Sequence, residues 1–254
     1  MSKPTKIRTF VVAGDLHGDM QDEPTVKAFL KFVDSFNPDI RIANGDIWDY
    51  AALRRGATAD DREEGGKSTK PDFRAGEAFL EAFFHPKKEN VYMGGNHCIE
   101  RLERLARSTN AIVSDFAIAG LQDTHKLFRR LKATYYPWNK RIYYQLGNAK
   151  VMHGFSSGMY VAKKMAETYG NCLFSHTHSR TEYRAPTADE RHAYNIGCLC
   201  KLDMEYNKAN LSCFRQEHSW AYGIILPNGT TITHLAKEYE EGKFYVSDNF
   251  KEIR

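Results

Sequence analysis

The run Ile7-Arg8-Thr9-Phe10-Val11-Val12-Ala13-Gly14-Asp15-Leu16-His17 is the stretch whose reading decides the fold. Its first half is β-branched and aromatic and breaks at Gly14, the pattern of a short buried strand. Two residues with chemistry, Asp15 and His17, follow the break at once. The same grammar recurs along the chain. Ile40 to Ala43 ends at Asn44-Gly45 and is followed by Asp46 and Asp49, and Val91 to Met93 ends at Gly94-Gly95 before Asn96 and His97. The strand Lys150 to Met152 runs into His153, and Cys172 to Phe174 into His176 and His178. Gly14, Gly45, Gly95 and Gly154 each sit beside a polar residue at a strand end, where they permit the sharp turn that aims a side chain.

Between these strands the apolar spacing changes to three and four. Val26, Phe29, Leu30 and Val33 give a helix over Glu23 to Phe36, and similar patterns place helices over Ala75 to Phe84, Ile99 to Ala106 and Tyr160 to Tyr169. Tyr143-Tyr144 and Val151-Met152 flank the Gly147-Asn148 turn as a strand pair. Strands alternating with helices mean an α/β layered architecture. Arg54 to Asp72 is polar and charged, with three glycines and a proline, and reads as a long loop inserted at about 54–72 that gates or contacts substrate. Glu238 to Arg254 is polar and expected to be peripheral. No linker divides the chain, so one domain over residues 1–254 is expected.

Composition removes several classes. Of 254 residues, 42% are hydrophobic and 27% charged, which suits a packed globular chain rather than a disordered one. Lys+Arg 36 against Asp+Glu 32 leaves +4, too small to establish a nucleic-acid partner. There is no apolar run long enough for a membrane span, and Met1 to Thr9 lacks the apolar core of a signal peptide. The five cysteines contain no CxxC pair, which suits reduced thiols in a cytoplasmic protein rather than a zinc or disulfide framework. In Cys198-Leu199-Cys200 the two thiols share one face if the segment is extended, a structural arrangement.

In open α/β sheets, ligands bind in the crevice beyond the carboxyl ends of the strands. Here five strand ends deliver carboxylates, an amide and five of the ten histidines to one place. Asp and Asn oxygens with His nitrogens, and no thiolate, suit Mn, Fe, Zn or Co rather than a Cys-type structural zinc site. A carboxylate such as Asp46 can bridge two such ions.

The blocks Asp15-Leu16-His17, Gly45-Asp46-Ile47-Trp48-Asp49, Gly95-Asn96-His97, His153-Gly154 and His176-Thr177-His178 resemble, in order, the five motifs of the calcineurin-like metallophosphoesterases. That resemblance implies a four-layer α/β/β/α sandwich and a dinuclear centre that hydrolyses phosphate esters with a metal-activated water. It implies one ion on Asp15, His17, Asp46 and His178, and a second on Asp46, Asn96, His153 and His176. His97 corresponds to the catalytic histidine and Asp49 to the carboxylate that orients it. The implied cofactors are two divalent ions (Mn, Fe, Zn or Ni), with Mn favoured. Asn96, His97 and Arg54 are the expected substrate contacts. The sequence departs from the family at Cys98 and Ser175, neither a ligand position. Tyr50-Ala51 stands where the protein serine/threonine phosphatase branch has Arg-Gly, which argues against a phosphoprotein substrate. With that arginine missing, a singly charged diester is expected to be hydrolysed at least as readily as a dianionic monoester. The expected partner is a phosphate ester, with nucleotides and nucleic acids among the candidates, and no membrane or obligate protein partner is implied.

Other signals compete. Gly154-Phe155-Ser156-Ser157-Gly158 matches the nucleophile elbow of a serine α/β-hydrolase, with Ser156 as nucleophile and Asp203 and His218 or His234 completing the order. That reading leaves the other four strand ends unexplained. Gly66-Lys67-Ser68 ends like a P-loop, but Asp61 occupies the place of its first glycine. An inactive metal-binding module is the remaining alternative, weakened because every ligand position and His97 carries a competent residue. Arg54, Arg55, Arg62 and Arg74 are candidate phosphate contacts. His125, His192 and His218 are isolated.

Overall fold

The computed structural model describes residues 6–53, 68–203 and 211–247. Its first half alternates strand and helix: β1 (Arg8–Ala13), α1 (Glu23–Phe36), β2 (Ile40–Asn44), α2 (Thr69–Phe83), β3 (Glu89–Met93), α3 (Ile99–Leu105), α4 (Ala111–Arg130) and β4 (Ala133–Tyr136). The hairpin β5 (Tyr144–Leu146) and β6 (Ala149–Val151) follows, then α5 (Val161–Tyr169), β7 (Cys172–Phe174), β8 (Arg180–Arg184) and β9 (His192–Ile196). The chain ends in β10 (Ala221–Ile225), β11 (Thr231–Leu235), β12 (Lys237–Glu240) and β13 (Lys243–Tyr245).

Two sheets carry the architecture. One has the order β11-β10-β1-β2-β3-β4 and the other β5-β6-β7-β9-β8. Within the first, β1 to β4 are parallel, as are β6, β7 and β9 within the second. The period-2 alternation of β1 sorts its side chains between two cores. Phe10 and Val12 pack between the sheets with Leu146, Val151, Leu173 and Ile196. Val11 and Ala13 face the other way, onto Phe29 and Val33 of α1 and Phe79 and Leu80 of α2. On the outer face of the second sheet, Cys172 and Phe174 meet Val161 and Met165 of α5. The result is the four-layer α/β/β/α sandwich that the resemblance implies.

Three stretches depart from expectation. Helix α2 starts at Thr69, so the polar loop does not extend to Asp72. Ser68 caps the helix by accepting the Lys70 N–H at 3.2 Å, and Pro71 sits in the first turn, where no helical hydrogen bond is lost. The remaining loop residues, 54–67, with Arg54, Arg55 and Arg62, lie outside the described residues. Helix α4 was not anticipated. It buries only Ala117, Thr124, Leu127 and Phe128 among twenty residues, a stripe too sparse to stand out in the sequence. Lastly, the C-terminal segment is not wholly peripheral, because β12 and β13 form a hairpin that brings the Phe244 ring to 4.5 Å from Trp220.

The glycines of two helices differ in what lies above them. A Cβ at Gly76 on α2 would come within 2.2 Å of Trp48 Nε1, whereas one at Gly120 on α4 would meet Leu102 at 3.3 Å. Alanine in a helix interior is otherwise worth about 1 kcal/mol over glycine. Gly76→Ala is therefore expected to destabilise by about 1–3 kcal/mol through overpacking. Gly120→Ala is expected to be neutral or stabilising. Thermal unfolding of both variants checks this, and equal stabilisation would show that Trp48 does not hold its place.

Candidate metal centre

The strand ends place their side chains through strained backbone. Among the described residues eight non-glycine residues have positive φ, and Asp15, His17, Asp46, His176 and His178 are five of them. Such conformations cost about 1–3 kcal/mol each and persist where surrounding structure over-determines them. Here the over-determination is visible. Asp15 Oδ2 accepts the His176 N–H and Asp46 Oδ1 accepts the His97 N–H, both at 2.9 Å, so each carboxylate is pinned by one oxygen from another loop. A Cβ at Gly95 would lie 2.1 Å from Asp46 Oδ1, so only glycine lets that loop approach.

The remaining donor atoms converge. Asp15 Oδ1 is buried and lacks a well-formed hydrogen bond, with His178 Nε2 at 3.3 Å and His17 Nε2 at 3.9 Å beside it. The two imidazole nitrogens are 3.1 Å from one another. In a second group, His153 Nε2 lies 3.0 Å from Asp46 Oδ2 and 3.1 Å from Asn96 Oδ1. His176 joins Asp46 and His153 there, with donor atoms all within 4.8 Å.

Tautomers decide what these atoms offer. His153 Nδ1 is 2.8 Å from the Asn44 carbonyl, which can only accept, so Nδ1 carries the hydrogen. The Nε2 of a neutral His153 is then a lone pair aimed at two oxygen acceptors. The Nε2 of a neutral His17 is likewise a lone pair, since its Nδ1 donates to Asp49 Oδ1 at 2.9 Å, and it faces His178 Nε2 and Asp15 Oδ1. Lone pairs facing lone pairs in a dry site repel unless a cation lies between them. A proton is one such cation: burial pulls the His153 imidazolium down, but the Asp46 and Asp15 carboxylates push it up to about 9. A divalent ion is the other, and the buried oxygen and imidazole donors fit one. His176, pulled down to about 4 by burial and by the neighbouring His153 charge, is a neutral donor. For Asp46, burial works upward, yet the His153 charge and its hydrogen bond hold the carboxyl well below the usual range.

Beside the donors, Asp49 Oδ1 also accepts His97 Nδ1–H at 2.6 Å. Its carboxyl is held below the ordinary range because bonds from His17 and His97 outweigh the upward push of burial. Arg101, which sequence reasoning missed, donates through Nη1 to the Asp49 and Tyr50 carbonyls, and its Nη2 lies 2.9 Å from His97 Nδ1. Its spacing of four from His97 was the only available hint. Burial, with the His17 and Arg101 charges, pulls the His97 imidazolium down despite the two carboxylates beside it. Asp72, also missed, accepts the backbone N–H groups of Asp49 (3.2 Å) and Tyr50 and so anchors this loop.

A cavity of about 150 Å³ opens on the centre, lined by Asp46, His97, His176 and His178 together with Ser157, Gly158, Thr177, Ser179, Arg215 and Gln216. Arg215 and Gln216 lie in no motif, and only tertiary structure brings them here. Arg54 lies outside the described residues, and Arg74 lines a different cleft, with Phe73 and Leu102. The serine-hydrolase alternative gains no support from His218 or from the cavity lining. His218 is committed to Glu238 Oε2 at 2.8 Å and the Cys200 carbonyl at 3.0 Å, and Ser157 rather than Ser156 lines the cavity.

No family model and no curated protein matches the chain. Among solved structures it is similar to a predicted phosphoesterase from Streptococcus pneumoniae, with 14% identity over 91% of this chain and 99% of that one, at a TM-score of 0.34. It is similar to the E. coli phosphoesterase YfcE (14% identity, 88% and 96% covered, TM-score 0.37). A third is the Pseudomonas putida nuclease MPE (14% identity, 73% and 72% covered, TM-score 0.33). Likenesses this distant decide nothing about activity, which has to be read from the site's own residues. Among the described residues no helix is long and apolar enough to cross a membrane.

Asp72 makes the anchoring loop pH-dependent. Burial raises its carboxyl to about 7 against the two N–H donors, above the unfolded value of about 3.9. The folded protein therefore binds this proton more tightly, and the stability it confers is full below pH ~4 and lost as pH rises through 7. Asp72→Asn should lower stability by about 1–3 kcal/mol, because the amide serves only one of the two N–H groups. It should also flatten the decline between pH 5 and 8. Thermal melts across that range check this, and parallel curves for the two proteins would assign the decline to other groups.

Proposed function

We propose that this chain is a metal-dependent phosphoric ester hydrolase with a dinuclear centre. Asp15, His17, Asp46 and His178 would hold one divalent ion, and Asp46, Asn96, His153 and His176 the other. The observation that carries this reading is the set of buried lone pairs aimed at one another, with His97, held by Asp49, lining the same cavity. Divalent ions held there would supply positive charge for a phosphoryl group and would lower the pKa of water so that hydroxide is available as nucleophile. Manganese is the favoured ion on the strength of the oxygen donors, and the imidazoles suit Fe, Zn or Ni as alternatives. The five cysteines, all free, support a reducing compartment such as the cytoplasm.

The chain's own groups would do the rest. Asp49 fixes the His97 ring through Nδ1, and His97 lines the cavity, where it would give a proton to the leaving oxygen as the ester P–O bond breaks. Resting His97 is neutral, so it would gain that proton with the anionic substrate. Asn96 and the backbone it sits on would contact the equatorial phosphoryl oxygens.

The sequence-level reason for preferring a diester was a shortage of cations beside Asp49. Arg215 lines the same cavity, so that reason no longer decides. The preference is supported instead by the polar groups beyond the donors, Ser157, Thr177, Ser179 and Gln216, which give a second ester substituent somewhere to bind.

Chelation is expected to abolish ester hydrolysis, and manganese to restore it, with elemental analysis giving two ions per chain. His153→Ala is expected to lose one of them. Full activity of a chelated protein would refute the reading. His97→Ala should lower turnover of alkyl or nucleoside esters by about 10²–10⁴-fold, and that of nitrophenyl esters far less, with metal content unchanged. Equal losses on both would leave His97 a binding rather than an acid role.

A further inference from the structure

We infer that the ester taken by this centre is a nucleotide unit, its phosphate at the donor cluster, its sugar against the hydroxyl-lined wall, and its base stacked on an exposed rim formed by Tyr160 and Phe214. This rests on the phosphoesterase reading above and names its substrate class.

The rim is set out by exposure. Among the described residues six large hydrophobic side chains are more than 70% exposed: Phe214 (84%), Ile112 (81%), Leu211 (80%), Tyr160 (74%), Met159 (72%) and Tyr245 (71%). Four of these six lie on the two segments that wall the small cavity. Met159 and Tyr160 follow Gly158 directly, and Leu211 and Phe214 belong to the 3-10 turn that ends at Arg215. Single exposed hydrophobics need no explanation, but grouping beside a site marks a binding surface.

The cavity combines groups of different chemistry. The donor cluster and His97 attract a phosphate. Ser157, Thr177, Ser179 and Gln216 line the same cavity with hydroxyls and an amide. Thr177 Oγ1 already accepts from Asn195 Nδ2 at 2.6 Å, which leaves its own hydrogen to donate. Among the described residues Arg215 is the one charged group lining the cavity apart from the donors and His97, and an arginine suits an adjoining phosphate or the face of a base. Tyr160 and Phe214, both largely exposed, stand two positions after Gly158 and one before Arg215, which line the cavity. A phosphate, then sugar hydroxyls, then a flat π surface is the sequence of groups in a nucleotide. A phospholipid would instead require an apolar wall next to its phosphate, and a sugar phosphate would leave the rim unused.

Stacking on an aromatic side chain is worth about 1–3 kcal/mol per base, or roughly 5- to 150-fold in affinity. The test uses the full chain loaded with manganese. Calorimetric affinities are measured for a thymidine dinucleotide with a slowly hydrolysed phosphorothioate link and for glycerophosphoglycerol, a diester with no ring. The wild type is expected to prefer the dinucleotide. Phe214→Ala and Tyr160→Ala should each reduce that preference by roughly 5- to 150-fold, and Tyr160→Phe should retain it. Arg215→Gln should weaken the dinucleotide and reduce the salt dependence of its binding. An undiminished preference in both alanine variants would overturn the proposal. So would binding to phosphatidylglycerol vesicles that Phe214→Ala abolishes, which would assign the rim to lipid. If the loaded protein hydrolyses neither diester, the phosphoesterase reading itself has failed. If it hydrolyses glycerophosphoglycerol without preferring the dinucleotide, only the substrate assignment has.

Discussion

Much of this structure hangs on the hydrogen bond from His153 Nδ1 to the Asn44 carbonyl. It joins the end of β6 in one sheet to the end of β2 in the other, so it holds the two strand-end loops together at the edge of the inter-sheet core. Asn44 reinforces the junction by donating its side-chain amide to the Met152 carbonyl and Ser175 Oγ, each at 3.0 Å. The same bond settles a chemical question. Because a carbonyl cannot donate, the imidazole proton is confined to Nδ1 and the other nitrogen is turned toward Asp46 and Asn96. One contact therefore sets both the spacing of the sheets and the character of the site.

The rest of the centre follows the same economy, in which a group that positions a loop also tunes a neighbour. Asp49 accepts from His17 and from His97, linking a candidate ligand to the candidate acid through one oxygen. Asp72 then holds the backbone of Asp49, and Arg101 its carbonyl. The strained φ values at Asp15, Asp46 and His178 are tolerable only inside this mesh, and the mesh in turn depends on small neighbours. At Gly45 a Cβ would lie 2.4 Å from His153 Nδ1, so the sheet junction itself requires a glycine there.

Some features were legible in the residue order because they depend on local rules. Period-2 and period-3.6 apolar spacing marked β1 to β3, α1, α3, α5 and β7 close to their observed limits, and the break at each strand end marked where chemistry would sit. The candidate donors Asp15, His17, Asp46, Asn96, His153, His176 and His178 were all singled out this way, since each follows a strand by one to four residues. Helix α4 was not legible, because its buried stripe is thin and most of its surface is polar. The start of α2 was hidden by Pro71, a breaker elsewhere but harmless in a first turn. Arg101, Asp72 and Arg215 belong to no strand end and carry no motif.

By itself, then, the sequence determined the alternation of elements, the sorting of β-strand faces and the chemical inventory at the strand ends. These are properties of neighbours a few residues apart. Tertiary structure alone decided which nitrogen of His153 and His17 faces the centre, since that depends on partners 109 and 32 positions away. It also decided which serine lines the cavity and that Arg215 lines it together with His97. Such contacts arise only when separate loops are packed against one another, and no spacing in the chain records them.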